Sequence, residues 1–188
     1  MPTYSPPRDS FLLRSLAHLP LLVLALAVLT TARPALAAGV SDQIRCLALT
    51  IYYEARGEPK VGKIAVGHVV MNRVRDAKFP NDVCAVVRQG GERPRFRCQF
   101  SWWCDGRSDT PHERAAWRVS RVLAQKIFWG FSADPTGGAL WYHATYVKPT
   151  WRRAYQRGPT VGRHTFYRRA SGIILASQRA LSLGVRSN

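Results

Sequence analysis

The chain is short and strongly basic. Its 188 residues include 28 Lys and Arg against 11 Asp and Glu, which gives a formal charge of +17. Once an N-terminal segment is set aside, about 150 residues remain, enough for one domain with a substantial core and too few for several. We find no internal repeat and no low-complexity linker.

The first element of the sequence is an export signal. Arg8 and Arg14 precede an apolar run from Leu16 to Leu29, and Arg33-Pro-Ala-Leu-Ala37 has the small-residue spacing of a signal-peptidase site. The sequence therefore predicts that residues 1–37 are removed and that the protein is exported to the periplasm or cell envelope, touching the membrane only transiently through this segment. An uncleaved N-terminal anchor is the alternative.

The next element is a helix that carries one acidic residue on its apolar face. Ser41 and Asp42 supply a start signal, and Gly57 ends the pattern. The apolar residues that recur at three- and four-residue spacing are Ile44, Leu47, Ala48, Ile51, Tyr52 and Ala55. Glu54 follows Ile51 by three residues, so it falls on the face that enters the core.

A carboxyl group in that position is expected to have a raised pKa. Desolvation and the negative end of the helix macrodipole both disfavour the carboxylate, since Glu54 lies in the last turn. A Glu that is protonated near neutral pH can donate a proton as a general acid. Arg56 would act in the opposite direction if its guanidinium came close. The alternative is a Glu that reaches solvent or pairs with an Arg inside the fold.

Beyond this helix the pattern predicts further helices and little strand. A second helix is expected from Pro59 to about Asp76, a short one over 82–88 and a third long one over 111–129. The residues of the third long helix that should face the core are Ala115, Ala116, Val119, Leu123 and Ile127. Brief extended segments are expected at 139–143 and 165–167, so the predicted fold class is α+β, mainly α, with a few short strands.

Four cysteines agree with an oxidising compartment. Cys46, Cys84, Cys98 and Cys104 allow three pairings, and we favour Cys46–Cys84 with Cys98–Cys104. The first bridge would tie the Glu54 helix to the segment after the second helix, and the second would pin the aromatic residues between its cysteines. A zinc site is the alternative, but the spacing lacks a C-x-x-C pair, so we predict no metal and no cofactor.

The charge of the chain indicates an anionic polymer as its partner. Cleavage after Ala37 would remove three Arg and one Asp and leave a formal charge of +15. In a cytosolic protein this charge and six Trp would favour nucleic acid. Outside the membrane the abundant anionic polymers are cell-wall glycan with peptide stems, teichoic acids and lipopolysaccharide, so we predict no nucleic-acid partner. A charge that only keeps the protein soluble is the alternative.

Six blocks of sequence occur in a fixed order. They are Leu49–Glu58, Gly62–Arg73, Phe79–Pro80 with Val83–Cys84, Cys98–Trp102 with Cys104–Gly106, Tyr142–His143 with Pro149 and Trp151, and Gly162–Tyr167. Together they resemble the SleB/CwlJ-type cell-wall hydrolases, the spore-cortex-lytic family, over about residues 44–167. The resemblance implies a lysozyme-like catalytic domain. We place this single domain at 38–170 and assign no role to the tail at 171–188. The resemblance also implies that the first Glu of the E-A-R-G-E motif, here Glu54, is the general acid on peptidoglycan.

The number of candidate catalytic carboxylates helps to distinguish hydrolysis from transglycosylation. Hydrolysis of a glycosidic bond normally needs a second carboxylate, and none stands out as strongly as Glu54. Glu58 lies past Gly57 and is expected to order a loop or form an ion pair, and Asp105 could shape the cleft. We therefore predict a lytic transglycosylase, in which the muramic acid C6 hydroxyl attacks and Glu54 acts first as acid and then as base. A hydrolytic glycosidase, a non-catalytic wall-binding module and a metal-dependent amidase are the alternatives.

Other polar and aromatic side chains are candidates for sugar binding. These residues are Glu58, Gln99, Ser101, Trp102, Asp105, Tyr142, His143, His164 and Tyr167. Aromatic residues of a small domain often belong to the core, and a His can be satisfied by backbone, so structural roles are the alternative. The protein is expected to act on peptidoglycan as a monomer.

Overall fold

The computed structural model describes residues 33–90 and 98–170. Most of the predicted signal segment and the whole tail at 171–188 lie outside the described residues. The chain divides into two units between Val40 and Ser41. The described residues of the first unit, 33–40, are helical.

Helices make up most of the described residues. They are α1 (Arg33–Ala55), α2 (Lys60–Arg75), α3 (Val83–Arg88) and α4 (Arg114–Phe128). The predicted start of α1 at Ser41 and Asp42 is wrong, because these two residues continue a helix that already begins at Arg33. Pro59 caps α2 with a φ of −55°, and the Asp82 side chain caps α3 by accepting from the Ala85 N–H. Among these described helices, none combines the length and apolar character needed to cross a membrane.

Three short strands form one antiparallel sheet. They are β1 (Trp141–Ala144), β2 (Gln156–Val161) and β3 (His164–Arg168), in the order β1-β3-β2. The first and last match the predicted extended segments, whereas β2 was not predicted. Its Gly158 and Pro159 are typical of a turn, but they lie where the pairing with β3 shifts register between Arg157 and Thr160. An edge strand tolerates Gly and Pro at such an irregularity.

The core lies between the helices and continues under the sheet. Buried residues of the four helices pack into one cluster, and a second cluster joins α2 to Phe166 of β3. The helices approach closely at Gly67, where a Cβ would lie 2.7 Å from Ile127 and 3.0 Å from Ile51. Both predicted disulfides are present, Cys46–Cys84 and Cys98–Cys104.

The inward face of α4 differs from the prediction. Its buried residues are Ser120, Leu123, Ala124 and Ile127, whereas Ala115 and Val119 are exposed. The prediction followed apolar residues only. Ser120 can nevertheless be buried, because its hydroxyl donates to the Ala116 carbonyl at 3.0 Å. The mainly helical α+β class is confirmed.

Candidate active site

A cleft of about 450 Å³ opens where the end of α1 faces β1. Its walls carry one carboxyl group, one guanidinium and several aromatic rings. The lining residues are Glu54, Arg73, Gln99, Phe100, Trp141, Tyr142, Trp151 and Tyr155. Of the residues predicted to bind substrate, the cleft therefore brings Gln99 and Tyr142 together with Glu54.

Glu54 lies in the last turn of α1, as the sequence predicts. Its Oε2 accepts a hydrogen bond from the Tyr142 hydroxyl at 3.0 Å. Burial raises the pKa of Glu54 above its ordinary value, while the Tyr142 bond and the charge of Arg73 act against that rise. The net direction is upward, so the fold favours a proton on this carboxyl group.

The cation that faces Glu54 is Arg73, which the sequence analysis did not single out. The sequence analysis considered whether Arg56 lowers the pKa of Glu54. In the structure the Arg56 Nε instead pairs with the Glu113 Oε1, 2.8 Å away. A sequence signal for Arg73 was present, because it follows Val66, Val69 and Val70 by the intervals that define the buried face of α2. Arg73, like Glu54, is therefore a charged residue at a helical position that the spacing assigns to the buried face.

Arg73 holds its charge in a closely packed environment. Its side chain is 2% exposed, and Nε donates to the Leu140 carbonyl at 2.8 Å. The guanidinium lies over the rings of Phe79 and Phe100, at 5.4 and 5.5 Å from their centroids. Burial lowers the pKa of Arg73 to about 10, so the group remains a cation at neutral pH. It can therefore stabilise the carboxylate that Glu54 becomes after giving up its proton.

Tyr142 links the acid to the sheet. Burial and the neighbouring Glu54 raise its pKa well above the ordinary value, so the phenol stays neutral and acts as a hydrogen-bond donor. The ring packs against His164 and Phe166, with centroids 5.1 and 5.7 Å away. These contacts hold the hydroxyl in place, and the bond favours the ionised form of Glu54.

Aromatic rings form one wall of the cleft. Trp141 and Tyr155 stack with centroids 3.8 Å apart, and Trp151 packs against Tyr155 at 6.0 Å. Sequence reasoning placed Trp151 in a family motif but did not single out Trp141 or Tyr155. Trp151 is exposed, whereas Trp141 and Tyr155 are half-buried, and aromatic rings that line a cleft are suited to packing against sugar rings.

Glu58 is not part of the cleft. Its side chain is buried, and its two carboxyl oxygens accept from the backbone N–H and the Nε of Arg163, both at 2.8 Å. Burial alone would raise the pKa of Glu58, but these two bonds hold it below the ordinary value. Glu58 thus orders the turn between β2 and β3, where Gly162 has a φ of +58° and a side chain would collide with the carboxylate. The sequence analysis expected this loop-ordering and ion-pairing role, and the predicted sugar contact of Glu58 stays a prediction.

Four other predicted residues also lie outside the cleft lining. Trp102 is buried and stacks on Tyr53 at 4.9 Å, so it belongs to the core. Ser101 is exposed on a short 3-10 helix, and Asp105 accepts from the Arg107 N–H within a turn. His164 packs beneath Tyr142, and burial lowers its pKa. None of these four lines the cleft.

His143 and Tyr167 form a pair on the far side of Trp151. The His143 Nε2 lies 3.0 Å from the Tyr167 hydroxyl, and the two rings stack at 5.2 Å. They line a second pocket rather than the cleft. Within the described ranges, no three His, Cys, Asp or Glu side chains group closely enough to hold a metal ion.

The sequence is similar to that of known cell-wall enzymes. The profile of the family described as Cell Wall Hydrolase matches residues 57–167, a region that begins just after Glu54. The spore cortex-lytic enzyme of Bacillus cereus is 36% identical over 129 residues, which cover 66% of this chain and 44% of that enzyme. That of Halalkalibacterium halodurans is 33% identical over 132 residues, covering 69% of this chain and 36% of the enzyme. This chain thus spans less than half the length of these curated relatives.

Two solved structures have a similar fold. The catalytic domain of the germination-specific lytic transglycosylase SleB from Bacillus anthracis matches with a TM-score of 0.53 and 32% identity, covering 67% of this chain and 93% of that one. The catalytic domain of the Bacillus cereus SleB protein matches with a TM-score of 0.51 and 29% identity, covering 68% and 91%. These similarities confirm the family resemblance and the lysozyme-like fold expected from the sequence.

Proposed function

Because the chain belongs to the cell wall hydrolase family, we propose that it cleaves the glycan strands of peptidoglycan as a lytic transglycosylase. The observation that carries this proposal is the carboxyl group of Glu54, which has a raised pKa and lies in an open cleft between Tyr142 and Arg73. The similarity to the catalytic domain of a lytic transglycosylase supports the same reaction.

In the first step Glu54 protonates the glycosidic oxygen. The bond between that oxygen and C1 of muramic acid breaks, and positive charge develops at C1. A carboxyl group whose pKa is raised by burial keeps its proton to higher pH than an ordinary Glu, which suits it to this step. The carboxylate left behind is stabilised by the Tyr142 hydroxyl at 3.0 Å and by the Arg73 cation.

In the second step the Glu54 carboxylate acts as a base. It takes the proton of the C6 hydroxyl of the same muramic acid, and the oxygen bonds to C1 to close a 1,6-anhydro ring. No water is consumed and Glu54 regains its proton. Glu54 is the one carboxyl group among the described residues that line the cleft, and a mechanism with a single acid and base fits that set of residues.

The wall polymer lies outside the cytoplasmic membrane, so the protein must be exported to reach it. The predicted signal over 1–37 supports this location, with the periplasm or cell envelope as the place of action. The stacked rings of Trp141 and Tyr155, and Trp151 beside them, provide surfaces for the sugars on either side of the scissile bond.

Digestion of purified sacculi in heavy-oxygen water tests the proposal. We expect soluble fragments whose new muramic ends are unlabelled, anhydro and lighter than hydrolytic fragments by one water, as read by mass spectrometry. Labelled reducing ends would show that water attacks and would overturn transglycosylation. If the wild-type protein releases no fragments while a known lytic enzyme digests the same sacculi, the proposed activity itself is wrong.

A further inference from the structure

A second pocket, of about 360 Å³, lies beside the cleft and is strongly basic. We call it the basic pocket and define it by four of its lining residues, Lys148, Arg152, Arg153 and Arg157. No Asp or Glu is among its described lining residues. The whole segment 141–170, which contains every lining residue of the pocket, has seven basic residues and no acidic one, so this segment supplies no counter-charge of its own.

Among the described residues, the cations of the basic pocket also have no ion-pair partner. Arg163 and Arg169, in the same segment, pair with Glu58 and Asp76. By contrast, none of the four pocket cations forms a salt bridge within residues 33–90 and 98–170. Four like charges around one concavity repel each other, and an anion bound between them would relieve that repulsion.

Two lining residues of the basic pocket, His143 and Tyr167, are hydrogen-bonded to each other. The His143 Nδ1 lies 2.9 Å from the Ala144 carbonyl, so in neutral His143 this nitrogen donates and Nε2 accepts from the Tyr167 hydroxyl at 3.0 Å. Tyr167 is 4% exposed and belongs to β3. These bonds hold the two aromatic side chains in place among the Arg and Lys residues that line the pocket.

One short turn separates the basic pocket from the cleft. The 3-10 helix Thr150–Ala154 places Trp151 in the cleft and the next two residues, Arg152 and Arg153, in the basic pocket. The ring of Trp151 packs against His143 at 5.7 Å and against Tyr167 at 5.6 Å. A polymer that lies along the Trp151 side of the cleft thus passes the mouth of the basic pocket.

We propose that the basic pocket binds carboxylates of the peptide stem carried by the glycan in the cleft. This proposal rests on the proposed function. A stem is attached to muramic acid, so a strand held in the cleft presents its stem carboxylates to the pocket at high effective concentration. Guanidinium groups match carboxylates with paired, charge-assisted hydrogen bonds. Free phosphate and lipid phosphate groups can form similar hydrogen bonds with guanidinium groups, but they are not attached to a strand that lies in the cleft.

Calorimetric titration with a soluble stem tetrapeptide tests the pocket independently of cleavage. The variant Arg152→Gln/Arg153→Gln removes two pocket cations, and Arg114→Gln/Arg118→Gln removes two exposed cations of α4 as a matched control. We expect the Kd for the peptide to rise at least about tenfold in the pocket variant and less than about twofold in the control. Equal weakening in both variants would mean general charge attraction and would overturn the proposal.

A cleavage assay extends the test to the polymer. The substrates are glycan strands with intact stems and the same strands after enzymatic removal of their stems. We expect the ratio of kcat/KM for stem-bearing over stem-free strands to fall about tenfold in the pocket variant, and an unchanged ratio would overturn the proposal. If the wild-type protein cleaves neither substrate, the proposed function fails, while peptide binding that depends on Arg152 and Arg153 still supports the basic pocket.

Phosphate sources form the last arm. Inorganic phosphate and phosphatidylglycerol vesicles are titrated against the wild-type protein and the pocket variant. At equal ligand charge, we expect inorganic phosphate and the vesicles each to bind the wild-type protein more weakly than the tetrapeptide does. Tighter binding of either one, lost in the pocket variant, would assign the basic pocket to phosphate and overturn the stem assignment.

Discussion

Glu54 and Glu58 belong to one motif and are both withdrawn from water, yet their pKa values move in opposite directions. Desolvation raises the pKa at each position. At Glu58 the backbone N–H and guanidinium of Arg163 outweigh it, whereas at Glu54 the Tyr142 hydroxyl and the Arg73 charge do not. Burial therefore raises the pKa only where few donors face the carboxyl group, and the neighbours of each Glu decide the direction of its pKa shift.

The largest expected effect comes from comparing Glu54→Gln with Glu58→Gln. Glu54→Gln keeps the shape of the side chain but removes the transferable proton, so glycan cleavage should fall by at least about 100-fold. Glu58→Gln should keep activity within about threefold below its melting temperature, because Glu58 does not line the cleft. Fragment release from sacculi measures both. Equal losses of cleavage activity in the two variants would contradict the different roles of Glu54 and Glu58.

A smaller effect is expected from changing the charge that faces Glu54. Arg73→Met removes the cation that lowers the pKa of Glu54, so the alkaline limb of the pH–rate profile should move to higher pH. The rate should also fall about tenfold, because the carboxylate formed in the first step loses its stabilisation. Arg73→Lys keeps a cation and is the matched control. An alkaline limb that lies at the same pH in Arg73→Met as in wild type would contradict this account.

The smallest effect is on stability, and it should have opposite signs at the two positions. The lowered pKa of Glu58 stabilises the fold above the ordinary pKa of 4.5, and this contribution is lost as pH falls through the folded-state pKa. Glu58→Gln should therefore be less stable than wild type at pH 7, with the gap closing at acid pH. The expected difference is about 1 kcal/mol, because the partner side chain of Arg163 is 70% exposed.

The raised pKa of Glu54 has the reverse consequence. Its contribution is present below the ordinary pKa of 4.5 and is lost as pH rises through the folded-state pKa. Glu54→Gln should therefore match or exceed the stability of wild type at pH 7. Urea unfolding between pH 4 and pH 8 measures the free energy of unfolding of wild type and both variants. If the two variants differ from wild type in the same way at every pH, the opposite pKa shifts are contradicted.

Local patterns were reliable where one segment contains the whole signal. The spacing around Glu54 predicted its place in the last turn of a helix, and the cysteine spacing led to the correct bridges. The same kind of reasoning failed at α4, where a buried Ser satisfied by its own helix shifted the inward face. It also failed at β2, because Gly158 and Pro159 are typical of turns when the pairing partner is unknown.

The sequence by itself determined that Glu54 lies in the last turn of its helix, the helix that follows it and the family, and it favoured the disulfide pairs that the structure shows. These depend on periodicity, spacing and motif order, which are properties of neighbouring residues. Only the tertiary structure decided what faces each carboxyl group: Arg73 and Tyr142 at Glu54, and Arg163 at Glu58. Those partners are distant along the chain, and a pKa shift depends on desolvation and on donors within a few ångströms. Distances of that kind exist only after the chain has folded.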